Sequence, residues 1–198
     1  MTVMDLILIV EDPLSETVAG TLLEQTGKNY KIKNRLFLGK SEIQARINAL
    51  NESSKGFPHF VLTDQNSAHD CPPAEIEKWI KGSKNPNLIY RFAVMEVESW
   101  VMAHREAFTK FLSVPLNRVP LHTDKIEHPK EFLIGLARKS RSARLREDIV
   151  PPPDATSKTG PDYNGRLGEF VRQDWNARAA CKHSPSLERA FRRLREFG

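Results

Sequence analysis

Residues 6–16 read LILIVEDPLSE, and this stretch decides the fold. Its first five residues are all apolar, which is typical of a strand that is covered on both faces in a parallel sheet. The run ends at Glu11, and the following Asp12 and Pro13 suit the N-cap and the first turn of a helix. Beyond them, apolar residues recur at helical spacing: Leu14, Val18 and Leu22. The stretch predicts a strand, a tight turn and a helix.

The same alternation of strand and helix recurs along the first half of the chain. Further strands are expected at residues 30–38, 59–63 and 88–94. Helices are expected between and after them, at residues 41–50, 72–80 and 97–111. Alternating strands and helices imply right-handed crossovers and a mostly parallel sheet. The predicted fold class is therefore α/β, with a mostly parallel four-stranded sheet flanked by helices.

The second half of the chain lacks the strand pattern. Helices are expected near residues 129–139, 164–174 and 184–197, and residues 150–164 form a loop rich in Pro and Gly. We therefore predict two parts. Residues 1–112 form the α/β core, and residues 113–198 form a basic, mostly helical extension that packs on the core.

Positive charge is concentrated in the second half of the 198-residue chain, whose net charge is +5. Residues 1–100 contain 11 Lys and Arg against 13 Asp and Glu, a net charge of −2. Residues 101–198 contain 19 against 12, a net charge of +7. A basic surface attracts polyanions, because bound phosphates release their counterions. The charge distribution favours a nucleic-acid or nucleotide partner, with an ordinary solvated surface as the alternative.

The chain is expected to be a soluble cytoplasmic protein. Its two cysteines, Cys71 and Cys181, are far apart and form no CxxC motif, which indicates free thiols in a reducing compartment. No window approaches the roughly 18 apolar residues of a membrane span, and the amino terminus lacks the basic region and cleavage site of a signal peptide. No membrane partner is expected.

Acidic residues follow three of the four predicted strands. Glu11 comes after the first, Asp64 after the third, and Glu96 with Glu98 after the fourth. In open α/β sheets, ligands bind beyond the carboxyl ends of the strands. Carboxylate oxygens suit Mg²⁺ or Mn²⁺, which is usually completed by waters and substrate phosphates. The sequence predicts a metal site that acts on a phosphodiester.

Each acidic residue near the strand ends also has a structural interpretation. Asp12 suits a helix cap, Glu16 suits a favourable first turn, and Glu98 suits a solvated helix surface. On a regular helix Glu96 and Glu98 would lie about 200° apart, so only one of them can point inward. Glu96 is the favoured inward residue, and Glu98 replaces it if the helix starts later.

Three motifs resemble those of Toprim-like domains, the metal-binding domains of topoisomerases, primases and bacterial defence nucleases. They are VEDPLSE at 10–16, LTDQN at 62–66 and RFAVMEVESW at 91–100. Over nearly the whole chain, the sequence is similar to a bacterial Toprim-like family whose members are sometimes encoded beside ATPases. The CPP at 71–73 and the GPDYN at 160–164 match motifs of that family.

The resemblance implies roles for individual residues. Glu11 would be an acid/base or a metal ligand, and Asp64 and Asn66 would bind the metal. Asn66 departs from the family pattern, which has an aspartate there, so metal affinity is expected to fall unless Asp70 or Glu96 compensates. Asp12 replaces an expected glycine, and Glu16, a further candidate ligand, lies one position later than usual.

The implied function is a Mg²⁺- or Mn²⁺-dependent nuclease that cleaves nucleic acid, DNA in preference to RNA, as the effector of a bacterial defence system. Glu11 and Asp64 would be catalytic, and the metal would be held by Glu11, Asp64 and Glu96 with Asn66, Glu98 and Glu16 as further candidates. The alternative is a non-catalytic Toprim-like module that binds a partner ATPase encoded by a neighbouring gene. The neutral Asn66 motivates this alternative.

A second resemblance is to response-regulator receiver domains, whose openings are similar to ILIVEDP at residues 7–13. In a receiver, Asp64 would be the phosphoacceptor beside an Mg²⁺-binding acidic pair. A receiver also requires a lysine after a fifth strand, and no fifth strand is predicted. The sequence contains no P-loop, no HExxH motif and no nucleophile elbow.

The densest run of positive charge is RKSRSARLR, at residues 138–146. A run without interleaved aromatic residues would bind the phosphate backbone and not read bases. The nucleic-acid-binding residues predicted on this basis are Arg138, Lys139, Arg141, Arg144 and Arg146. The last predicted helix adds a second patch, which suits an acidic partner equally well: Arg189, Arg192, Arg193 and Arg195.

Overall fold

The computed structural model describes residues 3–65, 76 and 78–198 of the chain. These residues contain a four-stranded sheet in which all neighbouring strands are parallel. The strands are β1 (Met4–Val10), β2 (Tyr30–Phe37), β3 (His59–Gln65) and β4 (Leu88–Val94), in the spatial order β2, β1, β3, β4. The predicted α/β class and the parallel four-stranded sheet are confirmed.

Two helices alternate with the first three strands. Helix α1 (Pro13–Gln25) begins as predicted, because the Asp12 carboxylate accepts a hydrogen bond from the backbone N–H of Ser15 at 2.8 Å. Helix α2 (Lys40–Ser53) follows Gly39, and no side chain caps it. The predicted helix at residues 72–80 falls largely outside the described residues, although Ile76 and Ile80 are buried.

The chain after β4 is helical, as predicted. Its helices are α3 (Val97–Ala103), α4 (Arg105–Leu112), α5 (Pro129–Ala137), α6 (Ala143–Ile149), α7 (Tyr163–Gln173), α8 (Ala177–Ala180) and α9 (Pro185–Glu196), with short 3-10 segments at Leu116–Arg118 and Thr123–Lys125. Across residues 3–65, 76 and 78–198, no helix combines the length and apolarity needed to cross a membrane. Cys181 is a free thiol, and Cys71 lies outside the described residues.

The single helix predicted at residues 97–111 is two helices, because the chain breaks at His104. His104 has φ −79° and ψ 68°, which is not helical, and its Nδ1 accepts a hydrogen bond from the backbone N–H of Asn176 at 3.1 Å. The break separates two environments. Every residue of α3 is buried, whereas α4 buries only one side.

The sheet separates two hydrophobic clusters, because side chains alternate between its faces. On one face Ile9 and Val61 pack with Ile43 and Ile47 of α2. The other face carries the larger cluster, to which β1, β3 and β4 contribute together with α1, α3, α5, α7 and α9. The core therefore continues across the boundary predicted at residue 112.

Trp100 in α3 connects the two halves of the chain. It is fully buried, its indole N–H donates to the hydroxyl of Ser186 at 2.7 Å, and its carbonyl accepts a hydrogen bond from the indole of Trp175 at 3.0 Å. Burying one large apolar side chain contributes about 1.5–3 kcal/mol. The carboxyl-terminal helices are thus held on α3, the helix that carries Glu98.

Candidate active site

The carboxyl ends of β1, β3 and β4 lie side by side, because these three strands are neighbours in the sheet. Glu11 follows β1 directly, Asp64 is the penultimate residue of β3, and Glu96 follows β4 after one residue. The site is therefore at the edge where open α/β sheets bind ligands. We refer to Glu11, Asp12, Asp64, Glu96 and Glu98 as the carboxylate cluster.

Three members of the carboxylate cluster are held by hydrogen bonds to the backbone of other elements. Glu11 accepts from the N–H of Asp64 at 2.8 Å, and Asp64 accepts from the N–H of Val97 at 2.9 Å. Glu96 accepts from the N–H of Lys130, in the first turn of α5, at 2.7 Å. Each bond uses one carboxylate oxygen and joins one strand end to the next element. The carboxylates are consequently fixed in orientation by the fold.

Met95, between β4 and Glu96, has a left-handed backbone conformation with φ 66°. A non-glycine residue in this region carries strain of roughly 1–3 kcal/mol, and such residues concentrate at functional sites. The turn leaves Glu96 in an extended conformation as the N-cap of α3, with φ −150° and ψ 158°. Strain at Met95 therefore accompanies the placement of Glu96.

Glu98 is buried, so its interpretation as a solvated helix surface is wrong. It is 1% exposed and lies in the first turn of α3. Glu96 stands outside the helix with an extended backbone, so the helical angle of about 200° does not apply to this pair. Both side chains contact Lys130, through its ammonium in one case and its backbone N–H in the other. Both Glu96 and Glu98 therefore lie at the site, whereas the sequence favoured only Glu96.

The two oxygens of Glu98 are in different situations. Oε1 accepts a hydrogen bond from the hydroxyl of Tyr163 at 2.9 Å and lies 3.5 Å from the ammonium of Lys130. Oε2 is buried and has no hydrogen-bond partner in the described part of the chain. A buried carboxylate oxygen without a partner is costly, and native structures rarely leave one without a reason.

Asp64 is the electrostatic centre of the cluster. Burial raises its pKa well above the usual range, and the negative charges of Glu98, Glu11 and Asp12 raise it further. The hydrogen bond from the N–H of Val97 opposes these effects but does not offset them. Negative charge is therefore crowded around Asp64.

Lys130 contributes a positive charge that the sequence analysis missed. Burial alone would lower its pKa, but the charges of Glu98, Glu96, Asp12 and Asp64 outweigh burial and raise it. Lys130 follows the predicted helix start at Pro129. A lone lysine there carries no sequence signal of a site, because its role depends on packing between α3 and α5.

Tyr163, the second residue missed, explains the GPDYN motif at residues 160–164. Its pKa is raised well above the usual range by burial and by Glu98, whose carboxylate accepts its hydroxyl hydrogen bond. Gly160 packs so closely that an added Cβ would lie 2.4 Å from the carbonyl oxygen of Asp148. The N–H of Asp162 donates to that same carbonyl at 3.0 Å. The motif thus fixes the start of α7 and places the hydroxyl of Tyr163 within hydrogen-bond distance of Glu98.

The remaining candidate ligands differ in position. Asp12 caps α1 and also contributes charge to the cluster. Glu16 forms a 2.6 Å ion pair with Arg35 of β2. Asn66 and Asp70 lie outside the described residues. Among residues 3–65, 76 and 78–198, no three His, Cys, Asp or Glu side chains form a ready-made metal-binding group.

A cavity of about 470 Å³ adjoins the carboxylate cluster. Its charged lining consists of Glu96, Lys130, Glu131, Arg138 and Lys158. Arg138 is thus the member of the predicted basic run that lies beside the carboxylates. Lys139 and Arg141 of the same run are exposed. Arg144 lies 3.8 Å from the carboxylate of Asp148, and Arg146 donates a hydrogen bond to the carbonyl of Ser140.

Comparisons with protein-family models, with curated proteins and with solved structures found no significant match. The Toprim-like assignment therefore stays a prediction. What is known of the site rests on its own geometry: five carboxylates and one lysine at the carboxyl ends of three parallel strands.

Proposed function

We propose that this protein is a Toprim-like, Mg²⁺- or Mn²⁺-dependent phosphodiesterase that cleaves nucleic acid, DNA in preference to RNA, as the effector of a bacterial defence system. The strongest support is the excess of buried negative charge around Asp64. Burial and three neighbouring carboxylates raise its pKa, and Oε2 of Glu98 lacks a partner in the described residues. Lys130 is one positive charge among five carboxylates, so a divalent cation would relieve the excess.

The chemistry of the donors fits a hard divalent cation. All five cluster side chains offer carboxylate oxygens and no sulfur or nitrogen, which favours Mg²⁺ or Mn²⁺ over softer metals. Mg²⁺ commonly binds one or two carboxylates and completes its shell with water and substrate phosphate. A site without three preassembled ligands is consistent with that mode. Glu11, Asp64 and Glu96 would hold the ion, with Asn66, Glu98 and Glu16 as further candidates.

The cation would supply Lewis acidity and a lower pKa for an attacking water. The chain's own residues would orient the reactants. The hydrogen bond from the N–H of Asp64 fixes the carboxylate of Glu11, and that from the N–H of Val97 fixes the carboxylate of Asp64. Lys130 and Arg138 line the adjacent cavity with positive charge suited to a phosphate backbone, beside the carboxylates of Glu96 and Glu131. Lys158 extends this basic lining.

A Glu11→Gln substitution is expected to lower metal-dependent cleavage by about 100-fold or more. The substitution keeps an oxygen that can accept the hydrogen bond from Asp64, so the loss would reflect the charge and not the fold. The measurement is cleavage of plasmid, single-stranded DNA and RNA with Mn²⁺. Glu42→Gln is the matched control, because Glu42 pairs with Arg46 on the exposed side of α2.

The proposed nuclease activity would be contradicted by one combined result. Wild-type protein with Mn²⁺, tested with the product of its neighbouring gene present, would leave all three substrates intact, and titration would detect no metal binding. Equal cleavage by wild type and Glu11→Gln would instead remove Glu11 from the mechanism.

A second candidate is a non-catalytic Toprim-like module that binds a partner ATPase. It is favoured by Asn66, which stands where the family pattern has an aspartate, and by Lys130, which pairs with Glu98 and neutralises part of the cluster. In this case Glu11→Ala should leave biological activity and assembly with the ATPase unchanged. Lost activity with assembly intact would exclude it. The receiver-like alternative stays lower, because the described sheet has four strands and the lysine of the site, Lys130, lies on α5 and not after a fifth strand.

A further inference from the structure

A second charged region lies along β4, the strand at the edge of the sheet, next to α9. Arg91 shares a face of β4 with Ile89 and Ala93, which belong to the larger hydrophobic cluster that also includes α9. Arg193 of α9 donates to the carbonyl of Pro86 at 3.0 Å, just before β4. Lys84 donates to the carbonyl of Leu88 at 2.6 Å. We refer to Lys84, Arg91 and Arg193 as the β4 cation cluster.

Within the described part of the chain, no carboxylate forms an ion pair with the β4 cation cluster. The hydrogen bonds of all three side chains go to backbone carbonyls, and in the described residues none forms an ion pair. Arg192, one residue away on α9, is by contrast paired with Glu188 at 3.1 Å. Neutral carbonyls accept hydrogen bonds but do not cancel charge. The three cations are therefore near one another without a counter-charge from the described chain.

The side chain of Arg91 is partly buried, and one of its donor atoms is fully buried. Its Nη1 donates to the carbonyl of Tyr90 at 2.7 Å, but its Nε is buried and has no partner in the described residues. An unused guanidinium donor in a buried position is costly. A phosphate would have to approach the outer Nη groups of this guanidinium, since guanidinium groups bind phosphate oxygens through their N–H donors.

The electrostatics agree with this geometry. Burial lowers the pKa of Arg91 to about 10, and the charges of Arg193, Arg189 and Arg192 contribute to the decrease. Burial also lowers the pKa of Lys84, with further contributions from Arg91 and Arg193. Cations that depress one another's pKa mark a region of positive potential that an anion would relieve.

We propose that the β4 cation cluster is a phosphate-binding site that takes a phosphodiester of a nucleic-acid strand, at a distance from the carboxylate cluster. Arg189 lies four residues before Arg193 on the same side of α9, so positive charge continues outward from the cluster. A row of cations suits a polyanion better than a single small anion.

The position along β4 separates this site from the carboxylates. Arg91 lies three residues before Val94, the end of β4, which corresponds to about 10 Å along the strand. That span covers roughly three nucleotides of rise in one strand. The β4 cation cluster would therefore hold a strand away from the bond being cut. The inference rests on the proposed function only for the identity of the polyanion.

The test measures binding without catalysis. Labelled 20-nucleotide single strands and 20-base-pair duplexes are titrated with full-length protein in EDTA at several salt concentrations, followed by fluorescence anisotropy. Arg91→Gln, and separately Lys84→Gln with Arg193→Gln, are expected to weaken binding by about tenfold per lost contact. The slope of log affinity against log salt should fall by about 0.7–0.9 for each contact. Arg46→Gln, on α2, is the control, because Arg46 pairs with Glu42.

Folding is monitored by thermal unfolding, and Arg91→Gln is expected to melt at or above the wild-type temperature because it removes an uncompensated charge. Unchanged affinity and unchanged salt slope in folded variants would overturn the proposal. A second pair of results would also overturn it. Inorganic phosphate or pyrophosphate would protect wild type but not Arg91→Gln against unfolding, while both proteins bound the oligonucleotides equally. The site would then take a free anion and not a nucleic-acid strand. The binding assay contains EDTA and no free metal. A negative binding result therefore does not decide the outcome of the cleavage assay of Glu11→Gln.

Discussion

An Asp64→Asn protein is expected to be more stable than the wild-type chain at pH 7.5 and to have no detectable metal-dependent cleavage. Asparagine keeps the oxygen that accepts the hydrogen bond from Val97 but removes a charge that is crowded by Glu98, Glu11 and Asp12. Removing such repulsion commonly adds about 0.5–2 kcal/mol to the free energy of unfolding. The same charge is what a divalent cation would require, so activity would be lost as stability rises.

The stability gain should depend on pH in a defined direction. The pKa of Asp64 in the folded protein lies well above its ordinary value of 3.8, so the folded state binds its proton more tightly than the unfolded state does. The contribution of Asp64 to the free energy of unfolding is therefore complete at pH values below its ordinary pKa. It is lost as pH rises through the pKa that Asp64 has in the folded protein. Asparagine does not titrate. The difference in melting temperature between Asp64→Asn and wild type should be larger at pH 7.5 than at pH 4.5.

The measurement is thermal unfolding in EDTA, since a bound metal would stabilise the wild-type chain by mass action. Asp5→Asn is the matched control, because Asp5 lies in the same sheet near the start of β1 and pairs with Lys33 at 3.1 Å. It should keep cleavage and show no comparable gain. A lower melting temperature for Asp64→Asn at pH 7.5, or retained cleavage, would contradict the electrostatic interpretation of the site.

The positions of the strands could be predicted from the sequence because the signal is local. The apolar runs at 6–10 and 59–63 lie within β1 and β3, each of which is two residues longer, and β4 has the predicted bounds. Glu11 and Asp64 followed from the same signal, since residues after parallel strands converge at one edge. The orientation of Glu98 did not follow. It depended on where α3 begins, and the strained turn at Met95 sets that point.

Lys130 and Tyr163 could not be predicted as site residues because their contacts are long-range. They lie 32 and 65 residues from Glu98 in sequence, and only the packing of α5 and α7 on α3 brings them to it. The basic run at 138–146 illustrates the same limit. The density of positive charge marked all five of its basic residues, but the cavity beside Glu96 includes only Arg138 from that run.

Glu98→Ala is expected to cost about 3 kcal/mol or more of the free energy of unfolding, the largest loss for a charged residue of the site. The substitution removes the acceptor of the buried Tyr163 hydroxyl, separates the Lys130 ammonium from its partner, and leaves a cavity in a fully buried helix. For a chain of this size, 1 kcal/mol corresponds to about 2–4 °C in melting temperature. Chemical denaturation followed by circular dichroism would give the free energy directly.

Glu98→Gln separates the causes of that loss, since glutamine fills the same space and can still accept from Tyr163. It should unfold close to wild type if the hydrogen bond and the packing dominate. A loss as large as that of Glu98→Ala would show that the pair with Lys130 is the main contribution. Exposed Glu52→Ala, on α2, is the control for helix propensity, because Glu52 pairs with Lys55 at the surface.

A double-mutant cycle with Tyr163→Phe tests whether Glu98 and Tyr163 act as one unit. Tyr163→Phe alone should cost about 1–3 kcal/mol, because among the described residues it leaves Oε1 of Glu98 with the ammonium of Lys130 and leaves Oε2 without a partner. Once Glu98 is alanine, removing the hydroxyl should cost little, since it no longer has an acceptor. The coupling energy is expected to be about 0.5–3 kcal/mol. Fully additive losses would mean that the hydroxyl finds another partner in solution, and the GPDYN motif would then have no link to the carboxylate cluster through Tyr163.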